Sequence, residues 1–272
     1  MQNRVFKTDK LPFVELRYIS HITSCDKKHQ HEELTLTAIK SGTINIVFNN
    51  KSDSLKEQEI SIVNPHEVHC GVLSNMISKG CYVLYLNQSW CEDIQKSLFE
   101  NGEEYIPIKQ SLIQNKDLYK GFLTVCDKLL LEEITFLEKE ERLIEFISEV
   151  FLRFCLSDVK EKKDSKNFEI AYKIKQYIKN NIENEISLNQ ISKEMKFSIV
   201  HILRVFKKEF GLPIHSYILN KKVHLAKELL SQNMPVCEVA QMSGFFDQSH
   251  LNKSFKRVFQ LTPKEYQKQI FS

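Results

Sequence analysis

The sequence contains no apolar run near the ~18 residues that a membrane span requires. Its first residues, Met1 to Phe13, lack the apolar core of a secretory signal. Both absences point to a cytoplasmic chain without a membrane partner. The seven cysteines include no C-x-x-C pair, and their odd number and mostly apolar neighbours read as reduced core thiols rather than a disulfide set or a zinc site. No nucleophile–base pair and no complete set of metal ligands stands out, which weakens any enzyme reading from the start. What remains is a chain of 272 residues, 42% of them apolar, enough for ordinary cores in one or two domains.

The net charge of +3 is unevenly spread. Residues 166–272 carry 17 basic and 9 acidic side chains, against 21 and 26 in residues 1–165, so the balances are +8 and −5. A polyanion partner for the C-terminal part alone follows from that split. The polar stretch "SDVKEKKDSKN", residues 157–167, reads as the linker between the parts. Before it, residues 1–90 are strand-rich: "LTLTAI", "TINIVF", "EISIV" and "CYVLYL" are short, β-branched or aromatic, and bounded by turn material. From Cys91 to residue 156 the pattern turns helical. "EKEERLIEFISEVFLRFCLS" there has Leu143, Ile147, Val150, Phe151 and Phe154 on one stripe, and the alternating ionic and apolar residues of "LLLEEITFLEKEERLIEF" suit an exposed helix pair. Residues 168–272 read as all helix.

The C-terminal part repeats itself. "VFKKEFGL" at Val205 and "SFKRVFQL" at Ser254 place Phe206 and Phe210 49 positions before Phe255 and Phe259. Upstream, Leu188, Ile191 and Phe197 match Val236, Val239 and Phe245 at a spacing of 48, so the second copy has one extra residue in its turn, near Phe246. Each copy reads as a short helix, a tight turn, a polar N-cap (Ser198 or Asp247) and a second helix, which is the helix-turn-helix pattern, over about 188–209 and 236–259. On the second helices, Ile202, Val205, Phe206 and Phe210, and likewise Leu251, Phe255 and Phe259, are expected inward. Val200, His201, Leu203, Arg204 and Lys207 in the first copy, and Gln248, Ser249, Asn252, Lys253 and Lys256 in the second, are the candidate DNA-contacting residues. Arg and Lys reach phosphates or guanine edges, Gln and Asn pair with adenine, and Leu203 is limited to packing on a thymine methyl. Between the copies, "GLPIHSYILNKKVHLAKELL" fits one long helix from near Pro213 that spaces two reading heads.

These residues resemble the C-terminal signature of AraC/XylS-type transcription regulators. The likeness runs through Ala226, Leu229, Leu230, Val239, Ala240, Gly244, Phe245, Asp247, Ser249, Phe255, Lys256, Thr262, Pro263 and Tyr266. It departs at Lys196, which occupies the turn position that Gly244 fills in the second copy, and at Gln260, where the family has glycine. "HQHEELTLTAIKSGTINIVF" and "NPHEVHCG" more loosely resemble the cupin-like effector barrel that often precedes such a domain. The resemblance implies an α+β chain. It would comprise an N-terminal cupin-like β-barrel with flanking helices, a dimerisation region at 91–156, and an all-α domain with two helix-turn-helix units joined by a long helix. It further implies a regulator, most often an activator, with promoter DNA, RNA polymerase, a second copy of the chain and a small-molecule effector as partners. His29, His31 and His69 are the candidate effector residues at the barrel mouth. A metal-dependent cupin enzyme with a helical tail is the alternative. That alternative needs a Glu four or five residues after the second His, and Thr35, Leu36 and Thr37 stand there instead. The expectation is therefore no cofactor, no metal and no catalysis.

Overall fold

The computed structural model describes residues 3–20, 25–48, 51–75, 80–99, 104–155, 167–259 and 261–271. The chain divides into two compact units, Met1–Lys163 and Asp164–Ser272. The expected linker, 157–167, lies outside the described residues except for Asn167, which opens a helix.

In the first unit, nine strands precede the helices: β1 (Arg4–Phe6), β2 (Val14–Ile19), β3 (Cys25–His29), β4 (Leu34–Ile39), β5 (Thr43–Phe48), β6 (Ser52–Lys56), β7 (Ile60–Val63), β8 (His69–Asn75) and β9 (Cys81–Leu86). A tenth, β10 (Leu112–Ile113), follows α1 (Gln88–Leu98) and pairs with β7, so the region after Cys91 is not wholly helical as its pattern implies. The strands form two antiparallel sheets, ordered β1-β2-β9-β4-β7-β10 and β3-β8-β5-β6. The expected barrel is thus a pair of sheets that does not close into a ring among the described residues. In β5 the alternation of "TINIVF" is realised: Ile44, Ile46 and Phe48 are buried and their neighbours half-buried. They join Ile39, Leu55, Val63 and Cys81 in one apolar cluster. β4 and β7 are buried on nearly every residue, as central strands covered on both faces must be.

Helices α1, α2 (Lys116–Leu129) and α3 (Phe136–Phe154) start at Asn87, Asn115 and Thr135, whose side chains accept from the first free N–H groups. The stripe of α3 is core: Leu143, Ile147, Val150 and Phe151 are fully buried. The ionic residues Glu138, Lys139, Glu140 and Glu141 are buried as well, which corrects the exposed helix pair read from the sequence at this end of α3, while Glu132 and Glu133 before it are exposed. Burial pushes the Glu140 carboxyl up to about 7. Arg142 pairs with Glu138 at 2.8 Å, one turn apart. Cys70, Cys81, Cys91 and Cys126 are buried free thiols.

The second unit is helical throughout its described residues: α4 (Asn167–Asn180), α5 (Leu188–Met195), α6 (Ile199–Phe210), α7 (Ile214–Leu230), α8 (Val236–Met242), α9 (Gln248–Phe259) and α10 (Pro263–Phe271). α7 begins at Pro213, where a missing N–H costs nothing, and its 17 residues span about 26 Å. Val223, Ala226, Leu230, Val239, Ala240, Phe245, Leu251 and Phe255 form one core of α7, α8 and α9, flanked by Leu229 and Tyr266. No helix among the described residues is long and apolar enough to cross a membrane.

Candidate functional site

Two groups of residues carry chemistry, one in each unit. In the second unit, α5–α6 and α8–α9 are the two helix pairs the repeat implies. Lys196 ends α5 at φ +58° and Gly244 follows α8 at φ +71°, both left-handed, as a tight turn between two helices demands. Ser198 accepts from the His201 N–H at 3.3 Å, and Asp247 accepts from the His250 N–H at 2.6 Å, so each second helix has its expected cap. The extra residue of the second turn is Phe246, which projects into solvent at 92% exposure. Its neighbour Phe245 is buried, whereas the matching Phe197 is exposed and stacks on His201 at 4.7 Å. A Cβ on Gly244 would meet the Ile182 carbonyl oxygen at 2.8 Å and that of Glu183 at 3.1 Å. Lys222 of α7 donates to the Gly244 carbonyl at 2.5 Å and to that of Asn184 at 3.4 Å, tying the second turn to the loop after α4. No sequence pattern marks that clamp.

On α9, Gln248, Ser249, Lys253, Lys256 and Arg257 are exposed and Asn252 is half-buried, so the outward side expected for these residues is the one the helix presents. On α6 the expectation needs correcting. Lys207 is exposed and His201 and Arg204 are half-buried, but Val200 and Leu203 are only 7% and 4% exposed. α6 packs against α4, α5 and α7, so its covered arc is wider than a single helical stripe. Leu203 is a core residue here, and the basic side chains that α6 turns toward solvent are Arg204, Lys207 and the neighbouring Lys208.

In the first unit, strand geometry gathers the three histidines. His29 ends β3 and His31 follows two residues on, with their ring centroids 6.0 Å apart. The β3–β8 register places His69 directly opposite His29. A backbone bond from the His66 N–H to the His31 carbonyl, 2.8 Å, fixes the "NPHEVH" turn against the H-x-H segment. The ring centroids of His69 lie 4.5 Å from His29 and 4.9 Å from His31. Burial pushes the His31 and His69 imidazoles below their usual range. His29 and His31 border a cavity of about 340 Å³ lined also by Phe13, Glu15, Arg17 and Tyr85. There the Arg17 guanidinium lies 4.8 Å over the Tyr85 ring and 2.5 Å from Glu15. Lys7 also binds Glu15, at 2.9 Å, and the two bases hold that carboxyl below its ordinary range, Lys7 contributing most.

The family described as AraC-like ligand binding domain matches residues 15–147, and a helix-turn-helix domain family matches residues 191–269. The multiple antibiotic resistance protein MarA of Escherichia coli is 33% identical over 96 residues, 35% of this chain and 76% of MarA. The probable transcriptional regulator LumQ of Photobacterium leiognathi is 32% identical over 95 residues, 35% of this chain but only 38% of LumQ. The HTH-type regulator YbfI of Bacillus subtilis is 26% identical over 260 residues, covering 92% of this chain and 91% of YbfI. With both family matches falling where the sheet unit and the paired helix-turn-helix unit stand, the chain belongs to the AraC/XylS-type family of transcriptional regulators.

Proposed function

We propose that the chain is a transcription activator whose helices α6 and α9 enter two successive major-groove segments of promoter DNA. A small molecule bound in the cavity of the first unit would control it. The observation that carries this reading is the pairing of two capped helix-turn-helix copies in the half of the chain with a +8 balance, each presenting basic residues outward. Arg204 and Lys207 serve the first segment, and Gln248, Ser249, Asn252, Lys253 and Lys256 the second. Half of the protein repels DNA by its −5 balance, which suits a sensing role for the sheet unit.

Dimerisation and contact with RNA polymerase belong to this proposal through the family resemblance. The α3 stripe is used inside its own unit, so a second copy must dock on other surface. A regulator rather than an enzyme is the reading favoured by the missing acidic residue after the H-x-H pair. Footprinting of the full-length protein on a promoter fragment tests the core of the proposal. Two protected segments about one helical turn, ~34 Å, apart on one DNA face are expected. A single protected segment sinks the two-head reading.

A further inference from the structure

We infer that His29, His31 and His69 form a binding site for one divalent late-transition-metal ion, zinc first, with a coordination position left open toward the adjoining cavity. The inference deepens the effector reading of that cavity and rests on it only for the ion's role, since the site itself stands on its own geometry. The candidate ligand nitrogens of the three side chains all lie within 4.8 Å of one another. A tetrahedral zinc ion with bonds of ~2.0–2.1 Å holds its nitrogens about 3.4 Å apart, so small side-chain rotations close the set.

The ring hydrogen bonds point the same way. The His31 Nδ1 lies 3.1 Å from the Glu33 carbonyl oxygen, and the His69 Nδ1 lies 2.9 Å from that of Glu67. A carbonyl only accepts, so each Nδ1 carries the proton and each Nε2 is the acceptor nitrogen; on His31 the Thr35 hydroxyl meets it at 3.4 Å, a contact that an ion would displace. A backbone carbonyl holding the far nitrogen is the usual outer support of a histidine metal ligand, because it fixes ring orientation and raises basicity.

The donor set also selects the ion. Three neutral imidazoles without carboxylate or thiolate suit zinc, nickel, copper or iron, and offer little to magnesium or calcium, which want oxygen. Access is graded: His29 is exposed, His31 half-buried and His69 buried, so an ion entering from solvent meets His29 first. An oxygen or nitrogen donor of a small effector, steered by Arg17, is the natural occupant of the open position.

Untagged full-length protein, stripped by chelator and dialysed, provides the test. Titration calorimetry with zinc chloride should give one ion per chain, and cobalt(II) in its place should give the intense visible absorption of a four-coordinate ion held by three nitrogens and one solvent oxygen. His29→Ala and His69→Ala should each weaken binding by ~100-fold or more. His66→Asn, an exposed histidine of the neighbouring turn that ligates nothing here, should leave binding unchanged. His29 is exposed, so its variant stays folded and carries the test if His69→Ala does not. Absent binding, or binding that His29→Ala leaves intact, overturns the inference. Metal binding is read without DNA. A footprint without metal defeats only the metal site, and metal without a footprint defeats only the regulator reading.

Discussion

In the first helix-turn-helix copy the turn rests on a left-handed lysine, Lys196, and in the second on a left-handed glycine, Gly244. Around Gly244 two carbonyl oxygens and the Lys222 ammonium close in on the missing side chain, whereas the first turn carries a lysine side chain at the matching position. The first recognition helix is covered by three other helices and shows solvent a narrow basic edge. The second shows a broad polar face of Gln248, Ser249, Lys253, Lys256 and Arg257. One fold is thus built with different tolerances: the first copy is stabilised by burial around α6, the second by an exacting turn. The second copy also exposes the richer set of hydrogen-bonding groups.

Substitutions can break or sharpen that contrast. Leu203→Ala should cost ~2–5 kcal/mol of stability, as a buried leucine does, and lower the affinity for every DNA sequence alike. Thermal unfolding of the full-length variant checks this; an unchanged melting temperature with a loss confined to thymine-containing sites would return Leu203 to the reading face. Gly244→Ala should cost roughly 2–3 kcal/mol through its left-handed backbone and its backbone neighbours, with the same readout. Arg204→Ala and Lys253→Ala should each weaken specific DNA binding by ~1–3 kcal/mol where a base is contacted, the second with a clear relaxation of sequence preference. Competition between specific and random fragments separates the two. Lys196→Gly should stabilise by about 1 kcal/mol, because it removes the strain that Gly244 never carries. Equal effects at positions 196 and 244 would erase the difference between the turns.

What the sequence made legible was mostly core. The 49-residue spacing of Phe206 and Phe255 fixed two helix pairs because both rings are fully buried, and most of the family motif lies in the apolar cluster around Val239 and Phe255. Caps were legible too, since Ser198 and Asp247 do local work that spacing reveals. Exposure on α6 was not. A helical wheel assumes one covered face, and the burial of Val200 and Leu203 depends on the packing of α4 and α7, which no local window contains. The buried acids of α3 failed for the same reason. The histidine cluster was half legible: the H-x-H spacing keeps two rings close, but only the register of β3 against β8 brings His69 to them.

The claim that both copies hold the same DNA is tested most directly by the salt dependence of full-length binding. The logarithm of the binding constant should fall linearly with the logarithm of salt concentration, because each neutralised phosphate releases counterions. Arg204→Ala and Lys253→Ala should each shallow that slope by about 1 if each basic group meets a phosphate, and the double variant by about 2. A substitution that leaves both the salt slope and the specific affinity unchanged would show that its head stands off the DNA, and an affinity independent of salt would contradict the account altogether.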